Sequence, residues 1–378
     1  MPSKRAMETT PFAAMEVLEK AEKLDDVVHL EVGEPDVDPP AVAREVAAES
    51  ISTGGVNYTN ARGKRSLREA ISGYYRREYD VSVPVNRIFV TPGSSPALLG
   101  VMLDVVDPGE EVLLTDPHYA PYPNFVRQAE GTTRTVELGP ANGFQPQIAD
   151  FEAKIGPKTR GLLINSPANP TGAVLSAESI AGLVDLAERT DTRLIADEIY
   201  HGLDFDAEAH SVLEYTEEAF VLDGVSKRYG MTGWRLGWIV APAAETAAIN
   251  RLVQNFLICA PNHVQDAAEA AIRADGDLSA VRETYRQRRD LLLEAIQDWG
   301  LDLGYTPAGA YYLLLDVSDL PGDAFEVADR LLEETGVAMT PGPDFGSQAE
   351  NTLRASFATS TAAIEDAIER LDAFFANR

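Results

Sequence analysis

The amino-acid sequence predicts an α/β fold with a mainly parallel central sheet, sandwiched by helices, and a second, smaller α+β domain. Three observations support this prediction. Short runs rich in Val, Ile and Leu alternate with helical patterns through the middle of the chain. The chain has 378 residues, enough for more than one domain, and 45% of them are apolar. A long helical pattern, about residues 278–299, then leads to strand-like runs that indicate a smaller sheet.

The first part of the chain predicts three helices and one short strand. In the first helix, "FAAMEVLEKAEKL", an apolar face is formed by Met15, Leu18, Ala21 and Leu24. The strand in "VVHLEVGEPDVDPP" is broken by a glycine and several prolines. The two helices that follow are predicted in "PPAVAREVAAESI" and "KRSLREAISGYYRREY".

The middle of the chain supplies the large sheet. Its five predicted strands are "RIFVTPG", "EVLLTDP", "RGLLINSP", "TRLIADEIY" and "AFVLDGVSK", and the helical patterns between them are "SPALLGVMLDVV", "YPNFVRQAE" and "AESIAGLVDLAERT". The smaller sheet is predicted in "AGAYYLLLDVS", "VAMTPG" and "TLRASFAT", and the last helix in "TAAIEDAIERLDAFF". We therefore predict a large domain over residues 41–274 and a small domain built from residues 1–40 and 275–378.

The charge of the chain argues against two classes of partner. The net charge is −28 at pH 7, which repels nucleic acids and anionic membranes. Only seven residues are lysine, so most basic residues are arginine. A strong acidic excess with scarce lysine is typical of a halophilic protein from a high-salt cytoplasm, where salt screens most of the self-repulsion.

No segment of the sequence predicts export, membrane insertion or metal binding. No window reaches the roughly 18 uninterrupted apolar residues of a membrane span, and "MPSKRAMETTPFAAM" lacks the apolar core of a secretion signal. We therefore expect a cytoplasmic protein. The only cysteine, Cys259, cannot form a disulfide within the chain and is interpreted as a small buried hydrophobe. The five histidines lack the spacing of metal ligands, so no metal site is expected.

Polar motifs follow four of the predicted strands of the large sheet. They are "TPGSSP", "NSPANPTG", "DEIY" and the "SK" of residues 226–227. In an open α/β sheet the ligand lies beyond the carboxyl ends of the strands. These motifs are far apart in sequence, but we expect them to meet at one site.

Lys227 is the candidate catalytic residue, because it directly follows an apolar strand. Loss of hydration there disfavours the ammonium form, lowers the lysine pKa and frees the amine as a nucleophile. Such an amine can hold an aldehyde cofactor covalently. Asp197 would then suit the protonated nitrogen of a pyridine ring in that cofactor.

Four further side chains are candidates for binding a phosphate group. Ser94, Ser95 and Ser226 carry hydroxyl groups, and Arg235 can make bidentate, charge-assisted contacts. The segment "PGSSP" leads into a predicted helix, whose N-terminal amide groups favour anions.

Seven segments together resemble the class I/II, fold-type I aminotransferases of the aspartate aminotransferase-like family, which use pyridoxal 5′-phosphate. They occur in the family's order over nearly the whole chain: "VGEPD" (32–36), "YTNARG" (58–63), "NSPANPTG" (165–172), "DEIY" (197–200), "SKRYGMTGWRLGW" (226–238), "TPGPDFG" (340–346) and "LRASFA" (353–358). One such segment is modest evidence, but seven in register are specific. The resemblance implies a fold-type I transferase whose large domain binds the cofactor.

The resemblance also implies roles for individual residues. Lys227 would hold the cofactor aldehyde, and Asp197 would pair with the nitrogen of the cofactor ring. Asn169 and Tyr200 would hydrogen-bond the phenolic oxygen of that ring. Tyr119, in "DPHYAPY", would stack on the ring.

The remaining implied residues bind phosphate or substrate. The three serines named above and Arg235 would hold the cofactor phosphate. Tyr58 would reach the phosphate of the neighbouring subunit, which implies a homodimer with shared active sites. Arg354 would bind the substrate α-carboxylate, with help from the backbone amide of Gly33.

The function implied by the resemblance is a ping-pong aminotransferase that moves an amino group between an L-amino acid and a 2-oxo acid. A lyase or synthase with the same cofactor and fold is an alternative, because a fold does not fix a reaction. A regulator that uses the domain as an effector sensor is a third possibility, although such proteins carry a basic DNA-binding module and this chain is acidic throughout. Aspartate, alanine, aromatic and branched amino acids all stay open as substrates.

Each of these residues also has a purely structural interpretation. Tyrosines such as Tyr119 and Tyr200 are commonly core aromatics. Asn169 can form an Asx turn before proline, and serines in "GSSP" can simply cap a helix. Arg62, in "YTNARGKRS", can be a solvated loop residue or can meet a substrate side-chain carboxylate in the partner's site.

Overall fold

A computed structural model describes residues 1–274, 276 and 278–376 of the chain. Its strands are β1 (Val28–His29), β2 (Ile88–Thr91), β3 (Glu111–Asp116), β4 (Thr132–Glu137), β5 (Thr159–Asn165), β6 (Arg193–Asp197), β7 (Phe220–Gly224), β8 (Gly237–Val240), β9 (Tyr312–Asp316), β10 (Val337–Ala338), β11 (Thr340–Pro341) and β12 (Thr352–Ser356). Its α-helices are α1 (Lys4–Glu8), α2 (Ala13–Ala21), α3 (Ala41–Ser52), α4 (Arg65–Tyr79), α5 (Ser94–Val105), α6 (Tyr122–Gln128), α7 (Ile148–Lys154), α8 (Ala177–Arg189), α9 (Thr246–Phe256), α10 (Asn262–Arg273), α11 (Ser279–Asp298), α12 (Ala324–Thr335) and α13 (Thr361–Phe375). Among these helices, none has the length and apolar character needed to cross a membrane.

Strands β2 to β8 form one seven-stranded sheet in the order β2-β8-β7-β6-β5-β3-β4. Neighbouring strands are parallel except around β8, which runs antiparallel to both β2 and β7. This confirms the predicted, mainly parallel sheet. The ends of β5 and β6 lie side by side, since Asn165 pairs with Asp197. The polar motifs that follow these strands therefore start from one edge of the sheet.

Alternate residues of each central strand pack on opposite faces of this sheet. On one face, Leu162 and Ile164 of β5 share a core with residues of α3, α4, α8 and α10. On the other face, Leu163 packs in a core with residues of α5, α6 and α9. Because helices cover both faces, consecutive interior residues of the central strands are apolar, which explains their continuous apolar runs in the sequence.

Two strands of the sheet have no counterpart among the predicted strands. Strand β4, "TTRTVE", lies at the edge, where most of its side chains remain at least partly exposed. An edge strand of this kind needs no continuous apolar run, so its composition resembles a loop. Strand β8 contains only four residues, "GWIV", and begins inside the glycine-rich segment "TGWRLGW".

Both ends of the chain meet beside a second, three-stranded antiparallel sheet of order β11-β12-β9. Strand β1, from the N-terminal part, pairs in parallel with β10, from the C-terminal part. Helix α2 packs there as well, through Val17 and Ala21 against Leu332 and Ala338. The predicted domain boundaries stay a prediction, and position 275 lies outside the described residues.

Two details of this region differ from the sequence prediction. The predicted apolar face of the first helix was wrong in part, because Met15 and Leu24 are exposed while Ala13 and Ala14 are buried. Helix α2 ends at Ala21, so Leu24 lies beyond it, and small alanines let the helix approach its neighbours closely. The single predicted strand in "VAMTPG" is two strands, because β10 pairs with β1 whereas β11 pairs with β12.

Helix α5 begins in very close contact with β8 at Gly237. A Cβ atom at this position would lie 2.9 Å from the Asp223 carbonyl oxygen and 2.9 Å from the backbone nitrogen of Ser94. Gly93, which precedes the helix, has a φ of 95°, a left-handed conformation that favours glycine. The position of the helix N-terminus over the sheet edge therefore depends on the absence of side chains at these two glycines.

We expect Gly237→Ala to lower the free energy of unfolding by about 1–3 kcal/mol, because the added methyl group would push α5 away from β8. Gly100→Ala is the matched control, since it lies within α5 and its Cβ would meet no atom within 4 Å. That control should be neutral or stabilising by up to about 1 kcal/mol. Denaturant unfolding in concentrated KCl measures both variants, and equal stability of the two would contradict the close contact.

Candidate active site

A cleft with a cavity volume of about 200 Å³ lies at the edge of the large sheet where β2, β3, β5, β6 and β7 end. Its walls contain nine of the twelve residues predicted for the site. These residues are Gly33, Ser94, Ser95, Tyr119, Asn169, Asp197, Tyr200, Lys227 and Arg354. The expected convergence of the strand-end motifs is therefore observed.

Lys227 follows the end of β7 by three residues and is only partly accessible from the cleft. Its Nζ atom donates a hydrogen bond of 2.6 Å to the carbonyl oxygen of Gly33 and lies 5.7 Å from the ring centroid of Tyr200. Burial lowers the pKa of this amine to about 8, and the positive charge of Arg354 acts in the same direction. The neutral, nucleophilic amine is thus accessible near physiological pH.

Asp197 is the last residue of β6 and is buried. Its Oδ2 atom accepts a 2.8 Å hydrogen bond from the Tyr122 hydroxyl, and its Oδ1 atom accepts one of 3.3 Å from the Ile199 amide. Burial raises the pKa of this carboxyl to about 6, while the two hydrogen bonds and the Lys227 charge oppose a further rise. At neutral pH the carboxylate is mainly ionised and can pair with a cationic group.

Arg354 lies on β12 and is 2% exposed. Its guanidinium donates to Asn169 Oδ1 at 3.1 Å, to Thr340 Oγ1 at 3.3 Å and to the carbonyl oxygen of Glu31. Every one of these partners is uncharged, and within the described part of the chain no carboxylate forms an ion pair with Arg354. Its Nε atom has no hydrogen-bond partner there either. A buried cation without a counter-ion favours binding of an anion.

Tyrosines connect the two sheets across the cleft. The hydroxyl groups of Tyr200 and Tyr312 lie 2.9 Å apart, and the Tyr311 hydroxyl donates to the Gly33 carbonyl oxygen at 3.1 Å. A Cβ atom on Gly33 would lie 1.6 Å from the Tyr312 hydroxyl, so only glycine fits at that position. The ring of Tyr312 also lies 4.6 Å below the Arg354 guanidinium.

The N-terminus of α5 forms a second place for an anion. Ser94 and Ser95 occupy the first turn of this twelve-residue helix and face the cleft. The exposed side chain of Arg235 lies beside it, because a Cβ on Gly93 would be 2.5 Å from Arg235 Nη2. Free amide groups, two hydroxyls and a guanidinium together suit a phosphate.

Three of the predicted residues do not line the cleft. Ser226 is buried next to Lys227, and Arg235 stands beside the α5 N-terminus rather than on the wall. Tyr58 is 83% exposed and lies outside the cleft of its own chain. Its position leaves the side chain accessible to another molecule.

Arg62 makes contacts within its own chain. Its Nε donates to Asn250 Oδ1 at 2.8 Å, and its Nη1 donates to the Asn86 carbonyl oxygen at 3.2 Å. The guanidinium also lies 4.9 Å from the ring centroid of Phe89. These contacts hold the side chain against the sheet.

The sequence prediction missed several residues of the cleft. Tyr122, which binds Asp197, occurs three residues after Tyr119 in the same motif, "DPHYAPY". Tyr312 starts β9 of the small sheet, where an apolar run masks its hydroxyl group. Both positions carried a detectable signal, namely tyrosine next to a predicted site motif or at the start of a strand. In the residues that the model describes, no group of three or more His, Cys, Asp or Glu side chains could hold a metal ion.

Comparisons with known proteins agree with this geometry. The family model described as aminotransferase class I and II matches residues 25–371. The chain is 37% identical over 378 residues to the aspartate/prephenate aminotransferase of Thermus thermophilus, covering 97% of each protein. It is 35% identical over 374 residues to the valine–pyruvate aminotransferase of Mycobacterium tuberculosis, covering 96% of this chain and 95% of that one. The solved structure of the T. thermophilus aspartate aminotransferase with maleate matches with a TM-score of 0.92, at 36% identity and 98% coverage of both chains.

We expect the ammonium group of Lys227 to lose its proton at an unusually low pH once bound small molecules are removed. Its pKa of about 8 makes roughly a tenth of the amine neutral at pH 7, about 200-fold more than for a lysine with an ordinary pKa near 10.4. Reductive methylation is carried out at a series of pH values and followed by peptide mass spectrometry. The rate of methylation of Lys227 should rise with pH with a midpoint near pH 8. Nα-acetyl-lysine is the control, and a Lys227 midpoint above pH 10 would contradict the effect of burial.

Proposed function

The chain belongs to the class I and II family of aminotransferases, and from this premise we propose how the residues of the cleft carry out the family's reaction. It is a pyridoxal 5′-phosphate-dependent enzyme that transfers an amino group from an amino acid to a 2-oxo acid by a ping-pong mechanism. One observation carries the assignment of roles. A lysine with a lowered pKa, a buried carboxylate, and a buried arginine without an ion-pair partner among the described residues face one cleft.

The residues of the cleft fit pyridoxal 5′-phosphate. When bound, this cofactor supplies an aldehyde that reacts with amines and a ring that withdraws electrons from the carbon next to the amino group. Lys227 would hold the aldehyde, and Asp197 would hold the proton on the ring nitrogen. Asn169 and Tyr200 would donate to the phenolic oxygen, and Tyr119 would lie against the ring.

The phosphate of the cofactor would bind at the start of α5. Ser94, Ser95 and Ser226 would donate through their hydroxyl groups, with Arg235 supplying charge. The closeness of Arg235 to Gly93 supports this role. A phosphate at that position would also neutralise the positive end of the helix.

Arg354 would bind the substrate α-carboxylate. The unpaired Nε atom and the uncharged partners of the guanidinium support this role, because an incoming carboxylate would supply the missing negative charge. The backbone of Gly33 would help to position the same group. With the carboxylate fixed, the free Nζ of Lys227 would take the proton from the substrate α-carbon and later return a proton, as general base and then general acid.

We expect Lys227→Ala to lower kcat by about 10²–10⁴-fold, because the amine that would move that proton is removed. Arg354→Ala should raise KM for the amino acid by about 10–100-fold, because a charge-assisted hydrogen bond to the carboxylate is lost. The exposed residues Lys158 and Arg44 provide the matched controls Lys158→Ala and Arg44→Ala, which should keep wild-type constants.

A screen of amino-acid donors with 2-oxo acid acceptors, analysed by mass spectrometry, measures these constants in concentrated KCl. Wild-type turnover in Lys227→Ala would contradict the assigned role. Formation of pyruvate and ammonia without any acceptor would indicate a lyase instead of a transferase.

We further propose a cytoplasmic, halophilic homodimer with shared active sites. The exposed Tyr58 supports the sharing, because its side chain lies outside the cleft of its own chain and is accessible to another subunit. The net charge of −28 supports a high-salt habitat, since dimerisation of such chains requires screening of their repulsion.

Mixing two defective variants tests both the shared active sites and the requirement for salt. Tyr58→Ala and Lys227→Ala subunits, each impaired alone, should regain about a quarter of wild-type activity at equal amounts, because about half the dimers are then hybrids with one intact site. Dialysis of the mixture from concentrated to dilute KCl should abolish the recovered activity. In the control, subunits with Tyr215→Ala, a change at another exposed tyrosine, are mixed with Lys227→Ala subunits in place of the Tyr58→Ala subunits. No recovery on mixing would contradict the shared sites, and activity unaffected by salt would contradict halophilic adaptation.

A further inference from the structure

The wall of the cleft near Arg354 is formed by the N-terminal part of the chain. Phe12, Ala14, Met15 and Val32 line the cleft there, and all four side chains are apolar. Helix α2, which carries two of them, packs against β11, the strand that pairs with β12 beside Arg354. This wall therefore stands next to the group that would bind the substrate α-carboxylate.

Contacts on both sides hold this N-terminal segment in place. The Ala13 amide donates to Asp344 Oδ2 at 2.5 Å, which fixes the start of α2. Thr10 hydrogen-bonds Asn124 of α6 through both its backbone amide and its hydroxyl group. The ring of Phe12 lies between these two anchors and packs edge-on against Tyr119, with centroids 6.0 Å apart.

Within one subunit, the described residues that line the cleft leave no cation for a second carboxylate. Among the described residues that line it, the cations are Lys227 and Arg354, and both have roles in the proposed reaction. Glu31 adds negative charge, and its carboxylate is fully buried against His29 at 2.8 Å. Arg235 stands at the start of α5, where the cofactor phosphate would bind. Transfer of a side-chain carboxylate into such surroundings without a partner is strongly unfavourable.

Arg62 is engaged in contacts within its own subunit. A role for Arg62 in a neighbouring subunit would require release from Asn250, from the Asn86 carbonyl and from the ring of Phe89. These contacts anchor it to the sheet of its own subunit.

We propose that the enzyme prefers amino acids with large apolar side chains over aspartate and glutamate, and that Phe12, Met15 and Val32 form the side-chain subsite. The inference rests on the aminotransferase function proposed above. Binding of an apolar substrate side chain against an apolar wall is favourable, because it removes apolar surface from water. The flexible thioether of Met15, half exposed at the mouth of the cleft, can adapt to aliphatic and aromatic side chains.

The test uses the holoenzyme with glyoxylate as acceptor, because glyoxylate has no side chain to occupy the subsite. Glycine formation is measured for leucine, methionine, phenylalanine, alanine, aspartate and glutamate as donors. The kcat/KM values for leucine, methionine and phenylalanine should exceed those for aspartate and glutamate by at least about 10-fold.

Variants of the wall residues distinguish effects on side-chain binding from effects on the reaction itself. Phe12→Ala and Met15→Ala should each lower the ratio of kcat/KM for the large apolar donors to kcat/KM for alanine by about 10-fold, mainly through KM for the large donors. Met15→Lys should raise the ratio of aspartate to leucine by about 10-fold, because it introduces the absent cation. Met7→Ala is the matched control, since Met7 is exposed on α1 and does not line the cleft.

The possible results distinguish this inference from the proposed function. Active wild-type enzyme that prefers aspartate or glutamate would overturn the apolar subsite and leave the aminotransferase function intact. Unchanged constants for large apolar donors in both alanine variants would overturn it as well. Absence of glycine formation from every donor would overturn both proposals.

Discussion

The withdrawal of charged groups from water at one edge of the large sheet is the constraint on which the site depends. Lys227, Asp197 and Arg354 are all wholly or largely removed from solvent, and burial shifts the pKa of the first two towards neutrality. Their partners are mostly backbone groups, hydroxyls and an amide, which satisfy hydrogen bonds without neutralising charge. The folded protein therefore maintains electrostatic interactions that are incomplete until ligands of opposite charge bind. A site of this kind needs a rigid core, and the sheet covered on both faces provides it.

The two parts of the structure contribute different halves of the cleft. The ends of β6 and β7 carry Asp197 and Lys227, whereas the three-stranded sheet carries Arg354. The hydroxyl pair of Tyr200 and Tyr312 joins them directly. In the proposed reaction the cofactor binds at the large sheet and the substrate α-carboxylate is held at the small one, so the relative position of the two sheets sets the geometry of the reaction. The close contact between Gly33 and Tyr312 leaves the two sheets little freedom to move relative to each other.

The sequence predicts the parts of this structure that have a local signal. Five of the seven strands and the motifs at their ends are recognisable because their interior positions form continuous apolar runs. Edge strand β4 lacks this signal, since its exposed side chains are polar. Tyr122 and Tyr312 resemble core aromatics in sequence, and only the fold shows that their hydroxyl groups meet Asp197 and Tyr200. The wall formed by Phe12 and its neighbours is hardest to predict, because it depends on a contact between the two ends of the chain.

The chain as a whole is strongly acidic, whereas the cleft holds a buried cation, Arg354, and salt affects the two differently. Screening weakens the repulsion between exposed acidic residues and an anionic substrate, so high salt removes a barrier to binding. The buried Arg354 is much less screened, so its attraction for a carboxylate persists. Contacts with apolar walls are not weakened by screening at all. In concentrated salt, selection among amino acids through apolar contacts is therefore more robust than selection through an exposed ion pair, which is consistent with a cleft whose fixed cations all lie close to the reaction centre.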